Sequence, residues 1–390
     1  MMLRPRIKPE HSGYRTVSGT VRLGSVIYGI GVEIDDPSGW VWTLVQAMDG
    51  GRTPDELGRL VAATHPEVTA TEVVQAITDL QAAGHLEDTG APAPELSANE
   101  RERYSRGVPL LRWLDRSPRP SAWELQELLR AARMLLVGLG GTGGYAAQAL
   151  VASGVGHLHC VDPDTVELSN LNRQPLYREQ DLGRPKVEAA LRDLRARNSA
   201  VRVTGERRRV GGPAELAELL GSGEGRYDVL LVCADQPPEI RRWANRVCLA
   251  TGTPWVDAGY HGPLVTAGVH VPGEGACWEC LRAGEVERRD LGLAPGQDEE
   301  AASPRMPWNP VTAVTAGLSG LLIAHAALAL VTGAPPMEPG FRYGINLAAL
   351  DDTVRQRFPR RPDCPACGTP QEERPDSAAG AAARSDGAGR

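Results

Sequence analysis

The chain has 390 residues and a formal net charge of −7 at pH 7. That length accommodates two or more domains, each with its own core, while the acidic balance leaves no basic face on which a nucleic-acid partner could rest. No succession of charged, apolar and small-residue regions opens the chain, so no secretory signal is expected; a cytoplasmic setting with reduced thiols is.

Residues 15–35, "RTVSGTVRLGSVIYGIGVEID", alternate polar and apolar positions between glycines and predict two or three short antiparallel strands. Three helices should follow. The first is "GWVWTLVQAM" at 39–48. The second is "RTPDELGRLVAATH" at 52–65, with Thr53 as cap, Pro54 at the first helical position and Glu56 closing a capping box. The third lies in "VTATEVVQAITDLQAAGHLED" at 68–88, capped by Thr69 or Thr71 and ended by Gly84. Small strands with three helices predict a winged-helix-like α+β unit over residues 1–90. No cluster of His, Cys or carboxylates stands out in it, so no catalysis is expected there.

Residues 88–100, "DTGAPAPELSANE", have linker composition. Within 91–130, "RERYSRGVPLLRWLDRS" and "SAWELQELLRAA" read as an arm and a helix leading into a second domain over 131–370. There the pattern becomes strand, glycine turn, helix, strand: "MLLVGLG", "GGYAAQALVASG", "VGHLHCVDPD". A helix at "RPKVEAALRDLRARN" and strands at "VRVTGERRRV", "YDVLLVCAD" and "PWVDAGYHG" continue it. Such alternation predicts an α/β fold with parallel strands and ligand chemistry at their carboxyl ends. Residues 311–333, "VTAVTAGLSGLLIAHAALALVTG", are long and apolar enough to test as a membrane span. Their Thr, Ser, small residues and His325 favour a buried or subunit-interface helix, and no membrane partner is expected. Residues 371–390 are poor in apolar residues and predict a disordered tail.

Gly138, Gly140 and Gly143, with Gly141 between them, match the fingerprint G-x-G-x-x-G. Glycines there let backbone approach a phosphate, and the following helix points its N-terminus at the anion. Asp162 closes the next strand about 20 residues on, where a carboxylate hydrogen-bonds a ribose hydroxyl. These features suit NAD, FAD and ATP alike. The next segment discriminates, because "VDPDTVELSNLNRQPLYREQDLGRPKVEAA" adds Asn170, Arg173 and Lys186. Backbone amides serve a dinucleotide pyrophosphate, whereas a triphosphate carries more charge and calls for cations. Lys186 is one of only two lysines, with Lys8, in a chain whose other basic residues are all Arg.

"CWEC" at Cys277 and Cys280 and "CPAC" at Cys364 and Cys367 form two C-x₂-C pairs. Four thiolates suit a closed tetrahedral structural Zn²⁺ site. Cys160 and Cys233 fall in predicted strands and Cys248 in a predicted helix, as small buried hydrophobes.

Together these motifs resemble the ubiquitin-activating-enzyme-like superfamily, the ThiF/MoeB/HesA family, over roughly residues 98–368. "RYSRG" resembles its arginine arm, "GLGGTGG" its ATP loop, "VDPDTVELSNLNRQ" its nucleotide-binding segment, "GRPK" its phosphate lysine and "CADQ" its metal-binding turn. The resemblance implies a Rossmann-like ATP-binding adenylation domain that activates a C-terminal carboxylate. Asp162 would hold the ribose, with Asp164 also in the nucleotide set; Asn170, Arg173 and Lys186 would hold the triphosphate, and Asp235 would hold Mg²⁺. Arg106, from its own chain or from the partner subunit of a homodimer, would stabilise charge on the phosphates. Gln236 stands where the family has Asn. The loop after the first Cys pair contains no Cys, which implies an acyl-adenylate without covalent transfer to this chain.

The front module resembles PqqD-like peptide-recognition elements, to which a leader peptide adds a strand. The expected function is therefore ATP-dependent adenylation of a ribosomally made precursor peptide, as in the microcin-type enzymes, alongside partner maturation enzymes. Activation of a small ubiquitin-like sulfur carrier and non-catalytic peptide recruitment are the alternatives. A dehydrogenase remains a formal one.

Overall fold

The structure is a computed structural model that describes residues 2–24, 29–221, 225–289, 291–297, 299–302, 306 and 308–368. The tail at 371–390 lies outside them.

In the N-terminal module, β2 (Tyr14–Arg15), β3 (Val21–Leu23) and β4 (Val32–Ile34) form a three-stranded antiparallel sheet. Three helices follow, α1 (Trp40–Ala47), α2 (Pro54–Thr64) and α3 (Ala70–Ala82). Both Thr53–Glu56 and Thr69–Glu72 close capping boxes, which selects Thr69 over Thr71. Each box satisfies orphan amides of a first turn. An unanticipated pair, β1 (Pro5–Ile7) against β5 (Leu86–Asp88), ties the two ends of the module together. Leu23, Leu44, Leu57, Val61, Val73 and Leu86 are fully buried in its own hydrophobic core.

After α4 (Ala98–Tyr104), helix α5 (Gly107–Leu114) is gripped by this module. Arg112 pairs with Glu10 at 2.6 Å and with Glu87 at 3.1 Å. Buried Lys8 donates Nζ to the Asp115 carbonyl at 2.8 Å. Nε2 of His11 lies 3.0 Å from the Trp113 carbonyl, and its Nδ1 lies 3.2 Å from Nδ1 of His85. The expectation of no His or carboxylate cluster in the module is therefore wrong. Its members come from both ends of the module and meet only when β1 and β5 pair.

Helix α6 (Trp123–Ala131) leads into an eight-stranded sheet. Its strands are β6 (Arg133–Val137), β7 (His157–Val161), β8 (Arg202–Glu206), β9 (Val229–Val232), β10 (Trp255–His261), β11 (Leu264–His270), β12 (Phe341–Asn346) and β13 (Thr353–Arg357). The order is β13-β12-β11-β10-β9-β6-β7-β8, parallel from β10 to β8 and antiparallel from β10 to β13. From β6 the chain crosses to β7 on one side and later returns to β9 on the other, a switch point that opens a crevice at the strands' carboxyl ends. Helices α7 (Gly141–Ala152) and α13 (Ala313–Thr332) cover one face, while α9 (Pro213–Gly221) and α10 (Ile240–Thr251) pack on the other. α13 is long and apolar enough to cross a membrane, but it packs on α7, β10 and β11 with much of its surface buried, as expected of a core helix.

Candidate active site

Val137 and Val232 pair at the ends of β6 and β9, and the loops that leave them line one cleft of about 960 Å³. Gly138, at φ 97°, makes this possible, since a Cβ there would lie 2.7 Å from the Ala234 amide nitrogen. Gly140 and Gly141 open α7 and line the cleft. Gly143 does not line it. It is buried in the first turn of α7, where a Cβ would stand 1.8 Å from the Gly138 carbonyl oxygen. Its glycine is needed for helix and loop to touch, the packing role of the third position of the fingerprint.

Asp162, Asp164, Asn170, Arg173, Lys186 and Asp235 all line the cleft. Buried Asp162 accepts the Leu139 amide at 2.6 Å and the Asp164 amide at 2.9 Å, so it shapes the glycine loop. Each oxygen keeps acceptor capacity for a hydroxyl. Burial raises its pKa above the ordinary carboxylate value against the pull of Lys186. The Tyr177 hydroxyl donates to the Leu139 carbonyl at 2.8 Å, holding the next peptide of the same loop. Buried Asn170 caps a short 3₁₀ turn by accepting the Glu167 amide at 3.1 Å. That turn presents Arg173, which donates to the Ser169 carbonyl at 2.7 Å and to Oδ1 of Asn172 at 3.0 Å. Lys186 begins α8 (Lys186–Arg197); its ammonium is buried and lies 3.0 Å from the half-exposed Asp164 carboxylate. Oε1 of buried Gln174, also on the lining, has no hydrogen-bond partner among the described residues.

Asp235 is exposed at the cleft wall, with Gln236 beside it. Mg²⁺ is commonly held by one or two carboxylates plus substrate phosphates, which exposed Asp235 on the cleft wall fits. Arg106 is not on the lining; it is the exposed N-cap residue of α5. Cys233 also departs from expectation. It sits one residue beyond β9, half-buried on the cleft wall, where burial pushes its thiol pKa up to about 12.

A second group was not foreseen. Buried Asp257 on β10 accepts Nε2 of His270 at 3.0 Å, Nε of Arg241 at 3.2 Å and a terminal nitrogen of Arg342 at 3.2 Å. Buried Glu285, on α11 (Trp278–Arg288), accepts Arg282 at 2.7 Å. These residues come from five elements with no motif spacing; the weak signal was a lone Asp inside an apolar strand.

The sulfurs of Cys277, Cys280, Cys364 and Cys367 lie within 4.8 Å of one another. Neighbouring pairs stand 3.8, 3.6 and 3.5 Å apart. Four sulfurs each about 2.3 Å from one tetrahedral ion would be ~3.8 Å apart, so the set fits Zn²⁺. The Arg361 amide lies 3.4 Å from Sγ of Cys280 and Nδ2 of Asn245 lies 3.6 Å from Sγ of Cys277, donors that suit thiolates.

A glycine loop at a sheet switch point, faced by cations and a carboxylate, defines a nucleotide-binding α/β protein of Rossmann-like class. Residues 115–367 match the ThiF family, and the chain belongs to that family. It is 37% identical over 278 residues to the molybdopterin-synthase adenylyltransferase of Escherichia coli K12, covering 70% of this chain and 99% of that one. It is 33% identical over 282 residues to the adenylyltransferase and sulfurtransferase MOCS3 of Sus scrofa, covering 71% of this chain. The chain spans about half the length of that relative, 55%. In fold it is similar to crystalline E. coli MccB, with a TM-score of 0.72 at 21% identity over 94% of this chain and 97% of that one. Another solved MccB structure is described as a microcin C7 biosynthetic enzyme in complex with N-formylated MccA.

Proposed function

We propose that the chain adenylates the C-terminal carboxylate of a ribosomally made precursor peptide, whose leader is held by the N-terminal module. The observation that carries this reading is the convergence of Asn170, Arg173, Lys186 and Asp235 with the glycine loop in one cleft. Adenylation brings two anions together, so cations must offset their repulsion and meet the charge that develops on the α-phosphate. A carboxylate oxygen attacks the α-phosphorus, the bond to the β-bridging oxygen breaks, and pyrophosphate leaves. The nucleophile is already ionised, so no general base is required. Asp162 and the glycine loop position the ribose and phosphates, and Arg173 and Lys186 bind the triphosphate. Asp235 would hold Mg²⁺, whose chemistry is to neutralise phosphate charge. In a homodimer, Arg106 would reach the partner's cleft, consistent with its exposure on α5 and its place outside the cleft of its own chain.

The peptide reading, rather than nucleotide chemistry alone, draws support from the N-terminal module. The likeness to MccB covers 94% of the chain, more than residues 115–367 that match the family. The edge strands β2 and β4 of the small sheet could each accept an added leader strand. Activation of a small sulfur-carrier protein is the second reading, favoured by likeness to the E. coli sulfur carrier protein ThiS adenylyltransferase, 30% identical over 246 residues. ATP–pyrophosphate exchange with a leader-bearing peptide and with a Gly-Gly-ended carrier separates the two. If deleting the leader leaves peptide binding and exchange unchanged, the leader reading is wrong.

A further inference from the structure

The nucleotide reading leaves one polar side chain of the cleft wall without a role. Gln174 is 4% exposed and lines the cleft, yet its carboxamide makes no hydrogen bond among the described residues. Its backbone, by contrast, is tied at both ends. The Gln174 amide donates to the Asn170 carbonyl at 2.9 Å, and the Gln174 carbonyl accepts the Tyr177 amide at 3.3 Å. The residue is therefore held in place without use of its side-chain polar atoms. A buried amide in that condition is destabilising, since it has given up water and gained no partner.

The lack of side chains on α7 is what lets Gln174 stand where it does. A Cβ on Gly141 would lie 3.3 Å from the Arg173 carbonyl oxygen, and one on Gly144 would lie 3.3 Å from Cδ of Pro175. Residues 173–175 thus lie directly against the first turn. Gly140, the N-cap residue of this helix, supplies no side-chain cap, and a Cβ on it would stand 3.9 Å from Nε2 of Gln174. The carboxamide is next to first-turn amides, which a helix leaves without internal acceptors. A structural cap would turn its oxygen onto one of them, but Oε1 of Gln174 accepts nothing among the described residues.

Other polar groups around it are engaged already. Arg173 donates to the Ser169 carbonyl and to Asn172, Lys186 holds the Asp164 carboxylate, and the Thr142 hydroxyl pairs with that of Ser319. Gln174 keeps two N–H donors for a ligand. Beside the positive end of a helix, such donors suit an anion with several acceptor oxygens.

We propose that Gln174 binds the nucleotide directly, its Nε2 donating to a non-bridging oxygen of the phosphate seated on the amino end of α7. The assignment rests on the nucleotide reading of the cleft. It adds a neutral donor to Arg173 and Lys186, one that weakens the ligand-free chain and is satisfied only in the complex. Removing the carboxamide therefore separates stability from binding, which no purely structural role would do.

Two full-length variants test this. Gln174→Met keeps length and bulk while removing hydrogen bonding, and Gln174→Glu sets an acceptor-only anion against the phosphate. Melting curves are recorded without nucleotide, and binding of a non-hydrolysable ATP analogue with Mg²⁺ is measured by titration calorimetry. Gln174→Met should melt at or above the native temperature and bind the analogue about tenfold more weakly, the worth of a hydrogen bond to a charged group. Gln174→Glu should bind more weakly still. The proposal is overturned if either variant binds the analogue as tightly as the native chain. It is equally overturned if Gln174→Met melts well below the native chain, which would make the carboxamide a structural element. If the native chain binds no analogue at all, the nucleotide reading falls and takes this assignment with it; native-like binding by Gln174→Met removes the assignment alone.

Discussion

Lys186 places a buried ammonium on the cleft wall beside a carboxylate that is 52% exposed. In Lys186→Ala the freed Asp164 can rehydrate, so the melting temperature should move little. Pyrophosphate exchange should nevertheless fall about 10²- to 10³-fold, the usual cost of one group aimed at developing charge. Equal exchange in the two proteins would remove Lys186 from the phosphate site. His85 makes a different prediction. Burial, with the charge of nearby Lys8 and the neighbouring His11, lowers its pKa from 6.5 to about 4. Between those values the unfolded chain takes up a proton that the folded one refuses, so stability falls as pH drops from 6.5 to about 4 and levels off below. His85→Gln should flatten that part of a melting-temperature profile. At this scale the sequence was informative where chemistry is local. Arg173, Lys186 and the four cysteines announce themselves by type and spacing. Asp257 does not, because its partners His270 and Arg342 lie 13 and 85 residues away.

Among the elements, those foreseen are those whose signals sit within one turn. The Thr53–Glu56 and Thr69–Glu72 boxes are i, i+3 patterns, and the β6-loop-α7 unit is one short segment. The β1–β5 and β11–β12 pairs were missed, because register between strands distant in sequence is set by packing rather than by local preference; the β10–β11 hairpin, joined through residues 262–263, was missed although its turn is local. α11 shows what this leaves to tertiary structure. Cys277 is its N-cap residue, and Arg282 and Glu285 project from the same helix into the cleft. The cysteine cluster therefore anchors the helix that carries Glu285. Chelation should lower the melting temperature by several degrees and raise hydrogen exchange in α11, with little change around α7. Unchanged exchange in α11 after verified metal removal would detach the cluster from that role.

For the whole molecule the decisive contact is between the N-terminal module and α5. Arg112 sits against Glu10 and Glu87, and removing it in Arg112→Ala strands poorly exposed Glu10, while Glu87 keeps Arg6 at 2.5 Å. A loss of about 3 kcal/mol is expected, with faster proteolysis in residues 89–97 while the main sheet stays protected. Proteolysis at the native rate would show that the network is dispensable. With this network in place, the module that would hold a leader is bolted to the helix that Arg106 caps. On the proposed reading, the chain then works as a caliper. One jaw grips the precursor far from its reacting end, the other waits at the glycine loop, and the opening between them is set by salt bridges instead of by a slack linker. Precursor length becomes a selected property: a peptide shortened between leader and C-terminus would still be gripped yet fail to reach, whereas one with extra residues could bulge and react.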